Sequence, residues 1–124
     1  MLYPLLLLLF SSLCGVVSQI LFKSSTLSLG AAPSGVREYA YFFVQLLVNP
    51  WFLFALVLYG VSFVLWIFLL SRNALSILYP IGFSMNLLFT VLLASVVFGE
   101  TIEPLQMAGI GVIIVGMLLV LGYL

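Results

Sequence analysis

Residues 51–98, WFLFALVLYGVSFVLWIFLLSRNALSILYPIGFSMNLLFTVLLASVVF, form two long apolar runs that are separated only by the short segment 71–74. A helix needs about 20 consecutive apolar residues to cross the hydrocarbon core of a bilayer, and both runs have that length. Backbone polar groups in hydrocarbon must be paired within the segment, so both runs are predicted to be helices. The short turn between them predicts an antiparallel helical hairpin.

The same pattern extends over the whole chain of 124 residues, of which 66% are hydrophobic and 5% charged. Soluble domains have about 25% charged residues, which cover their surface in water. The few charged side chains here leave uncharged runs at residues 1–22, 39–71, 73–99 and 104–124. The sequence therefore predicts an all-α integral membrane protein, a single domain over residues 1–124 whose four transmembrane helices lie at about 2–22, 51–70, 75–98 and 104–123.

The segment between the first two spans is predicted to be a loop at 30–35 followed by an aromatic stretch at about 37–48. Asn49-Pro50 is a break signal, and the stretch before it is too short to span. It is interpreted as a short interfacial helix, because tyrosines favour the headgroup level. The alternative is an extension of the second span that is kinked at Pro50. The first run lacks a basic leading region and a clear cleavage site, so it is expected to remain as a helix and not to be removed as a signal peptide.

Several classes of function are disfavoured by composition. The chain has no histidine, a single cysteine and a formal net charge of zero. No nucleophile with an acid-base partner, metal-ligand spacing or phosphate loop is present, so we expect neither an enzyme nor a cofactor. No basic patch indicates nucleic acid. The cations are too few and too evenly placed for the positive-inside rule to orient the chain.

Polar residues within the first span form one candidate site. Ser18, Gln19 and Lys23 are costly in a membrane, and Gln19 and Lys23 are neighbours four residues apart on a helix. They are predicted to bind substrate. The alternatives are that serine and glycine permit close helix packing, and that Lys23 extends to the headgroups.

A stripe on the third span forms a second candidate site. Tyr79, Phe83 and Asn86 follow helical spacing, and Pro80 frees a carbonyl at a similar level. These residues are predicted to line a cavity, although an interhelical hydrogen bond explains Asn86 equally well. Trp66, near the end of the second span, is interpreted as an interfacial belt residue.

Small residues mark the last span as a contact surface. Ala108, Gly109 and Gly116 allow close approach of another helix, and a chain this small has little room to surround a transport path alone. This face is therefore predicted to be the dimer interface.

Four short motifs, in order, resemble the small multidrug resistance family of the drug/metabolite transporter superfamily. They are Gln19-x-x-x-Lys23, Ser62-Phe63, Ile77-Leu78-Tyr79-Pro80-Ile81 and Phe98-Gly99-Glu100. Gly15 stands where the family's drug exporters have a membrane-embedded glutamate, and Gly82 stands where they have a tryptophan. The Tyr-Pro pair and the Gln-x-x-x-Lys ending are more similar to the branch of undecaprenyl-phosphate-aminoarabinose flippase subunits.

This resemblance implies a multi-pass transporter in the bacterial inner membrane that moves a polyprenyl-phosphate sugar. Lys23 at one side and Arg72 at the other would meet the phosphate, and Glu100 would belong to the same site. The expected partners are membrane lipids, the lipid-linked sugar phosphate and a second subunit, either identical or related. One alternative is a small-molecule exporter with Glu100 or Glu103 as proton site, and another is a non-transporting assembly subunit.

Overall fold

The computed structural model describes residues 2–30 and 33–124, which form five helices. The helices are α1 (Leu2–Ser28), α2 (Val36–Val48), α3 (Pro50–Leu70), α4 (Leu75–Phe98) and α5 (Pro104–Leu121). All except α2 are long and apolar enough to cross a membrane, and the described ranges contain no strand. The prediction of an all-α, multi-pass membrane protein is confirmed. Met1 and, within the predicted loop, Ala31 and Ala32 lie outside the described residues.

The first helix continues beyond its predicted end near residue 22 and ends at Ser28. The hydroxyls of Ser25, Thr26 and Ser28 each donate to a carbonyl three or four residues earlier, at 2.7–2.8 Å. Such bonds satisfy the hydroxyls locally and let polar residues continue a helix. Lys23 therefore lies within α1, which fixes the direction of its side chain relative to the rest of the bundle.

The break at Asn49 makes α2 a separate helix, the first of the two alternatives for this segment. Asn49 is extended (φ −73°, ψ 121°), because a residue before proline is disfavoured in the helical region. Its side-chain oxygen accepts a hydrogen bond from the Trp51 N–H at 3.0 Å, and Pro50 occupies the first turn of α3. The chain thus ends one helix and caps the next at a single residue.

The start of α2 is stabilised by Glu38. The backbone N–H and the hydroxyl of Ser34 both donate to its carboxylate at 2.8 Å. These hydrogen bonds, the backbone one first, lower the pKa of Glu38 from its ordinary value.

Acidification is expected to loosen the first turn of α2. A lowered pKa in the folded state means that the stabilisation is complete above the ordinary glutamate pKa of about 4 and is lost as the pH falls below it. The Ser34 amide proton shift and the Cα shifts of residues 36–39, followed by NMR from pH 7 to 3, will report this. Glu38→Gln, whose amide oxygen still accepts a hydrogen bond, is the control and should show no such titration. An unchanged Ser34 shift in the native protein would contradict the assignment.

The apolar core lies at the end of the bundle that carries the N-terminus and the α3–α4 turn. Leu8 of α1 packs there with Leu69 of α3 and with Leu78 and Ile81 of α4, and all four are buried. The C-terminal turn of α5 packs against the same cluster. Most other large apolar side chains are exposed, as expected for surfaces that face lipid.

The opposite end of the bundle carries most of the charge. Phe22 near the end of α1 packs on Phe52 near the start of α3, with 5.2 Å between ring centroids, so these helices are antiparallel. The end of α4 meets the end of α1 at this same level. Five of the six charged residues therefore belong to one end, which we call the charged end: Lys23, Arg37, Glu38, Glu100 and Glu103. Arg72 lies in the turn at the other end.

Candidate functional site

A cavity of about 420 Å³ lies between α1, α3 and α4. Its polar lining consists of hydroxyl and amide groups from Ser11, Ser12, Gln19, Ser62, Asn86 and Thr90. Its aromatic lining comes from Tyr59, Phe63, Trp66 and Phe83. None of the lining residues is charged. A cavity of this composition suits a neutral, hydroxyl-rich group, because hydroxyls and amides both donate and accept hydrogen bonds.

Small residues bring α1 and α3 together at the back of this cavity. The Ser11 hydroxyl donates to the Ser62 carbonyl at 3.0 Å, and the Ser62 hydroxyl donates to the Ser11 carbonyl at 2.8 Å. A Cβ atom at Gly15 would lie 3.0 Å from the Ser62 hydroxyl oxygen, so a larger side chain there would require the hydrogen-bonded Ser62 to shift. Ser11 and Gly15 of α1 therefore have two roles: they let α3 pack closely, and they form part of the cavity lining.

An aromatic cluster of Trp66, Tyr79 and Phe83 borders the cavity. The Trp66 and Tyr79 rings meet edge to face, with 5.9 Å between their centroids, and the centroids of the Tyr79 and Phe83 rings are 4.6 Å apart. Gly82 makes room for the indole, since a Cβ atom there would lie 2.7 Å and 2.9 Å from two of its carbons. The interpretation of Trp66 as a belt residue is thus incomplete, because its ring packs against α4.

Lys23 and Glu100 form an ion pair at the charged end, the only one among residues 2–30 and 33–124. The Lys23 ammonium also lies 4.7 Å from the centre of the Phe98 ring. Gly99 ends α4 in the left-handed conformation (φ 65°), which glycine adopts without strain and which turns Glu100 back towards α1. Both charged side chains are about half exposed (47% and 46%), so a ligand can reach them.

Six of the nine residues predicted to bind substrate fall into two groups in the structure. Gln19, Phe83 and Asn86 line the cavity, and Tyr79 packs at its border. Lys23 lies one helical turn beyond Gln19, where it meets Glu100.

The remaining three are placed elsewhere. Ser18 is fully buried, and its hydroxyl donates to the Gly15 carbonyl at 2.6 Å, so it is committed to packing within α1. Pro80 lies on an exposed face of α4. Arg72, at the opposite end of the bundle, has its guanidinium 5.0 Å from the centre of the Phe68 ring. The structure does not bring these three to the cavity.

The contribution of α3 to the cavity was not predicted as a site. Tyr59, Ser62, Phe63 and Trp66 follow three-and-four spacing on this helix and all line the cavity. That stripe is visible in the sequence, but apolar residues on every side of α3 conceal it.

The predicted dimer face is open in the single chain. No residue of α5 is buried, and Cβ atoms added at Gly109 and Gly116 would meet nothing within 4 Å. Ala108 on the same helix is also exposed. Whether this face contacts a second subunit stays a prediction.

Comparison with known proteins identifies similar chains. The chain is 39% identical over 80 residues, 64% of its length, to a probable 4-amino-4-deoxy-L-arabinose-phosphoundecaprenol flippase subunit ArnE of Aeromonas salmonicida, and covers 69% of that protein. The ArnE of Aeromonas hydrophila gives the same values, and that of Pectobacterium atrosepticum is 33% identical over 72 residues, 58% of this chain and 63% of that protein. These relatives are named as probable flippase subunits and not as enzymes, which agrees with the expectation from the sequence. No family model and no solved structure matches the chain.

Proposed function

The chain belongs to the ArnE family of flippase subunits, and from this membership we propose that it is a subunit of a transporter for a polyprenyl-phosphate-linked sugar in the bacterial inner membrane. The observation that carries the proposal is the uncharged, hydroxyl- and amide-lined cavity with a cation one turn beyond it. A flippase must give a polar headgroup a route through hydrocarbon, where unpaired polar groups are costly.

Each part of such a lipid has a matching surface in the bundle. The sugar hydroxyls would pair with the cavity's serine and amide groups, and its apolar faces would pack on the aromatic rings. The phosphate would meet Lys23 at the charged end, and Arg72 lies at the level it would reach on the other side. The polyprenyl tail would stay in lipid between the helices.

The chain's place in the small multidrug resistance family is part of the proposal. Its support is the four spanning helices and the cavity that α1, α3 and α4 form, which Gln19 of the first motif and Ser62 and Phe63 of the second line. Pairing with an identical or related subunit through α5, at Ala108, Gly109 and Gly116, would cover the open face. The exporter alternative is less favoured. The cavity lining contains no carboxylate that could bind a proton, and Glu100, which lies outside the cavity, is half exposed and paired with Lys23.

The test of the function is a translocation assay with the purified full chain in liposomes. A fluorescent polyprenyl phosphate is followed with and without its sugar, for the chain alone and together with any subunit that copurifies with it. Protein-dependent movement of the sugar-bearing lipid is expected. Movement by neither preparation would overturn the proposal and favour an assembly subunit.

Replacing Asn86 with leucine is expected to slow translocation about three- to tenfold, the cost of one neutral hydrogen bond. The Asn86 oxygen accepts from the Thr90 hydroxyl at 3.3 Å, and its amide nitrogen faces α1 beside Gly15. The amide thus has donors to offer a sugar. The initial rate in liposomes is the measurement. Gln45→Leu, which removes an amide from α2 outside the cavity, is the matched control, and equal losses in both variants would contradict a role for the cavity amide.

A further inference from the structure

The ion pair at the charged end lies one helical turn beyond the cavity and is half exposed. Lys23 follows the cavity residue Gln19 by one turn, and Glu100 reaches it from the end of α4. Half-exposed pairs contribute little to stability, so the two partners can separate at small cost. Both charges are therefore available to a ligand that offers each of them a new partner.

The lipid named for the relatives carries both charges that such an exchange requires. An amino sugar linked to undecaprenol through phosphate has a cationic ammonium and an anionic phosphodiester on one headgroup. A phosphate alone would release Glu100 from Lys23 and leave that carboxylate without a partner. A zwitterionic headgroup replaces one ion pair by two, and no charge is left unpaired near the membrane.

We propose that the Lys23–Glu100 pair opens to receive an amino-sugar lipid, with Lys23 taking the phosphodiester and Glu100 taking the ammonium. The inference rests on the proposed function and deepens it, because it names the group that selects the sugar. The cavity lining is uncharged and offers the ammonium no carboxylate. Glu38 is already bonded to Ser34, whereas Glu100 is in direct contact with the phosphate-binding cation. Glu100 is thus a specificity-determining residue for the amine.

The experiment compares two lipids that differ in one charge. The purified full chain in nanodiscs is titrated with undecaprenyl-phosphate 4-amino-4-deoxyarabinose and with the same lipid N-acetylated on its amine. The chain has two tryptophans, and a Trp51→Phe background leaves the cavity residue Trp66 as the only reporter of binding by fluorescence. The variants are Glu100→Gln, Glu100→Asp, Lys23→Met and, as a matched control, Glu103→Gln.

The native chain is expected to bind the amine about tenfold more tightly than its N-acetyl form, as for one charge-assisted contact. Glu100→Gln should bind both alike, while Glu100→Asp and Glu103→Gln keep the preference. Lys23→Met should weaken both lipids. Thermal unfolding of each variant in detergent separates loss of binding from loss of fold. If Glu100→Gln unfolds, the double variant Lys23→Met with Glu100→Gln, which removes both members of the pair, preserves the test and should show no preference for the amine.

Three results would overturn the inference. A tenfold preference that persists in Glu100→Gln places the amine elsewhere, on the aromatic rings for example. Equal affinity of the native chain for both lipids would show that Glu100 does not bind the amine, but it would not contradict the proposed function. Binding of neither lipid by the native chain, alone or together with a copurifying subunit, overturns the proposed function together with the inference.

Discussion

Replacing Lys23 with methionine is expected to reduce lipid translocation by roughly tenfold to a hundredfold. The ammonium lies one turn beyond the cavity, where the phosphate of the proposed lipid would bind, and a hydrogen bond to a charged group is worth about 1.5–3 kcal/mol. Methionine keeps an apolar stem of similar length, so packing beside Phe98 is retained while the charge is removed. Initial rates in liposomes, normalised to inserted protein, are the measurement.

Arg37→Met is the matched control for Lys23→Met. It removes one positive charge from the same end of the bundle, but from the exposed first turn of α2 and away from the cavity. A change of less than about twofold is expected, the scale of a screened surface charge. Equal losses in the two variants would show that general attraction of anionic lipid, and not the position of Lys23, determines the rate. An unchanged rate in Lys23→Met would remove this residue from the mechanism.

Replacing Gly82 with valine is expected to lower the stability of the bundle by about 1–3 kcal/mol and to abolish binding in the cavity. The new Cβ atom would fall 2.7 Å and 2.9 Å from carbons of the Trp66 ring and 3.4 Å from a methyl group of Leu8. The indole has a core residue on one side and the cavity on the other, so the clash drives the ring into the cavity. Thermal unfolding in detergent and lipid binding measure the two effects.

The matched control for Gly82→Val is Gly60→Val in α3. Both glycines lie within spanning helices, so the change in helix propensity is the same, but a Cβ atom at Gly60 meets nothing within 4 Å. A melting temperature close to that of the native protein is expected for Gly60→Val. Trp66→Phe combined with Gly82→Val removes part of the colliding ring and should recover part of the loss. Destabilisation of equal size in both valine variants would rule out the Trp66 contact as its cause.

The site is only partly predictable from the sequence, and individual residues show why. Asn86 and Phe83 belong to a stripe on one helix, so helical spacing was enough to group them, and the structure places both at the cavity. Ser18 belongs to the same kind of pattern, yet its hydroxyl bonds to Gly15 within its own helix. A hydroxyl in a membrane helix can satisfy itself locally or face a ligand, and spacing along one helix does not distinguish the two.

The positions of the spanning helices follow from the sequence by itself. Long uncharged, apolar runs partition into the membrane. Their backbone N–H and C=O groups must then pair within the segment, which requires a helix regardless of how neighbouring helices pack. Asn49-Pro50 ends α2 and begins α3 for equally local reasons, since proline restricts the residue before it. These properties depend on the chain and its solvent alone.

The tertiary structure decided which residues meet across helices. Ser11 bonds to Ser62, 51 residues away, and Lys23 pairs with Glu100, 77 residues away. The Trp66 ring enters a space that exists because position 82 has no side chain. Such contacts depend on the rotation and register of each helix against its neighbours. The surface of α3 is apolar on nearly every side, so its sequence alone does not indicate which side faces the other helices. The cavity, formed by α1, α3 and α4 together, is therefore a property of the packed bundle.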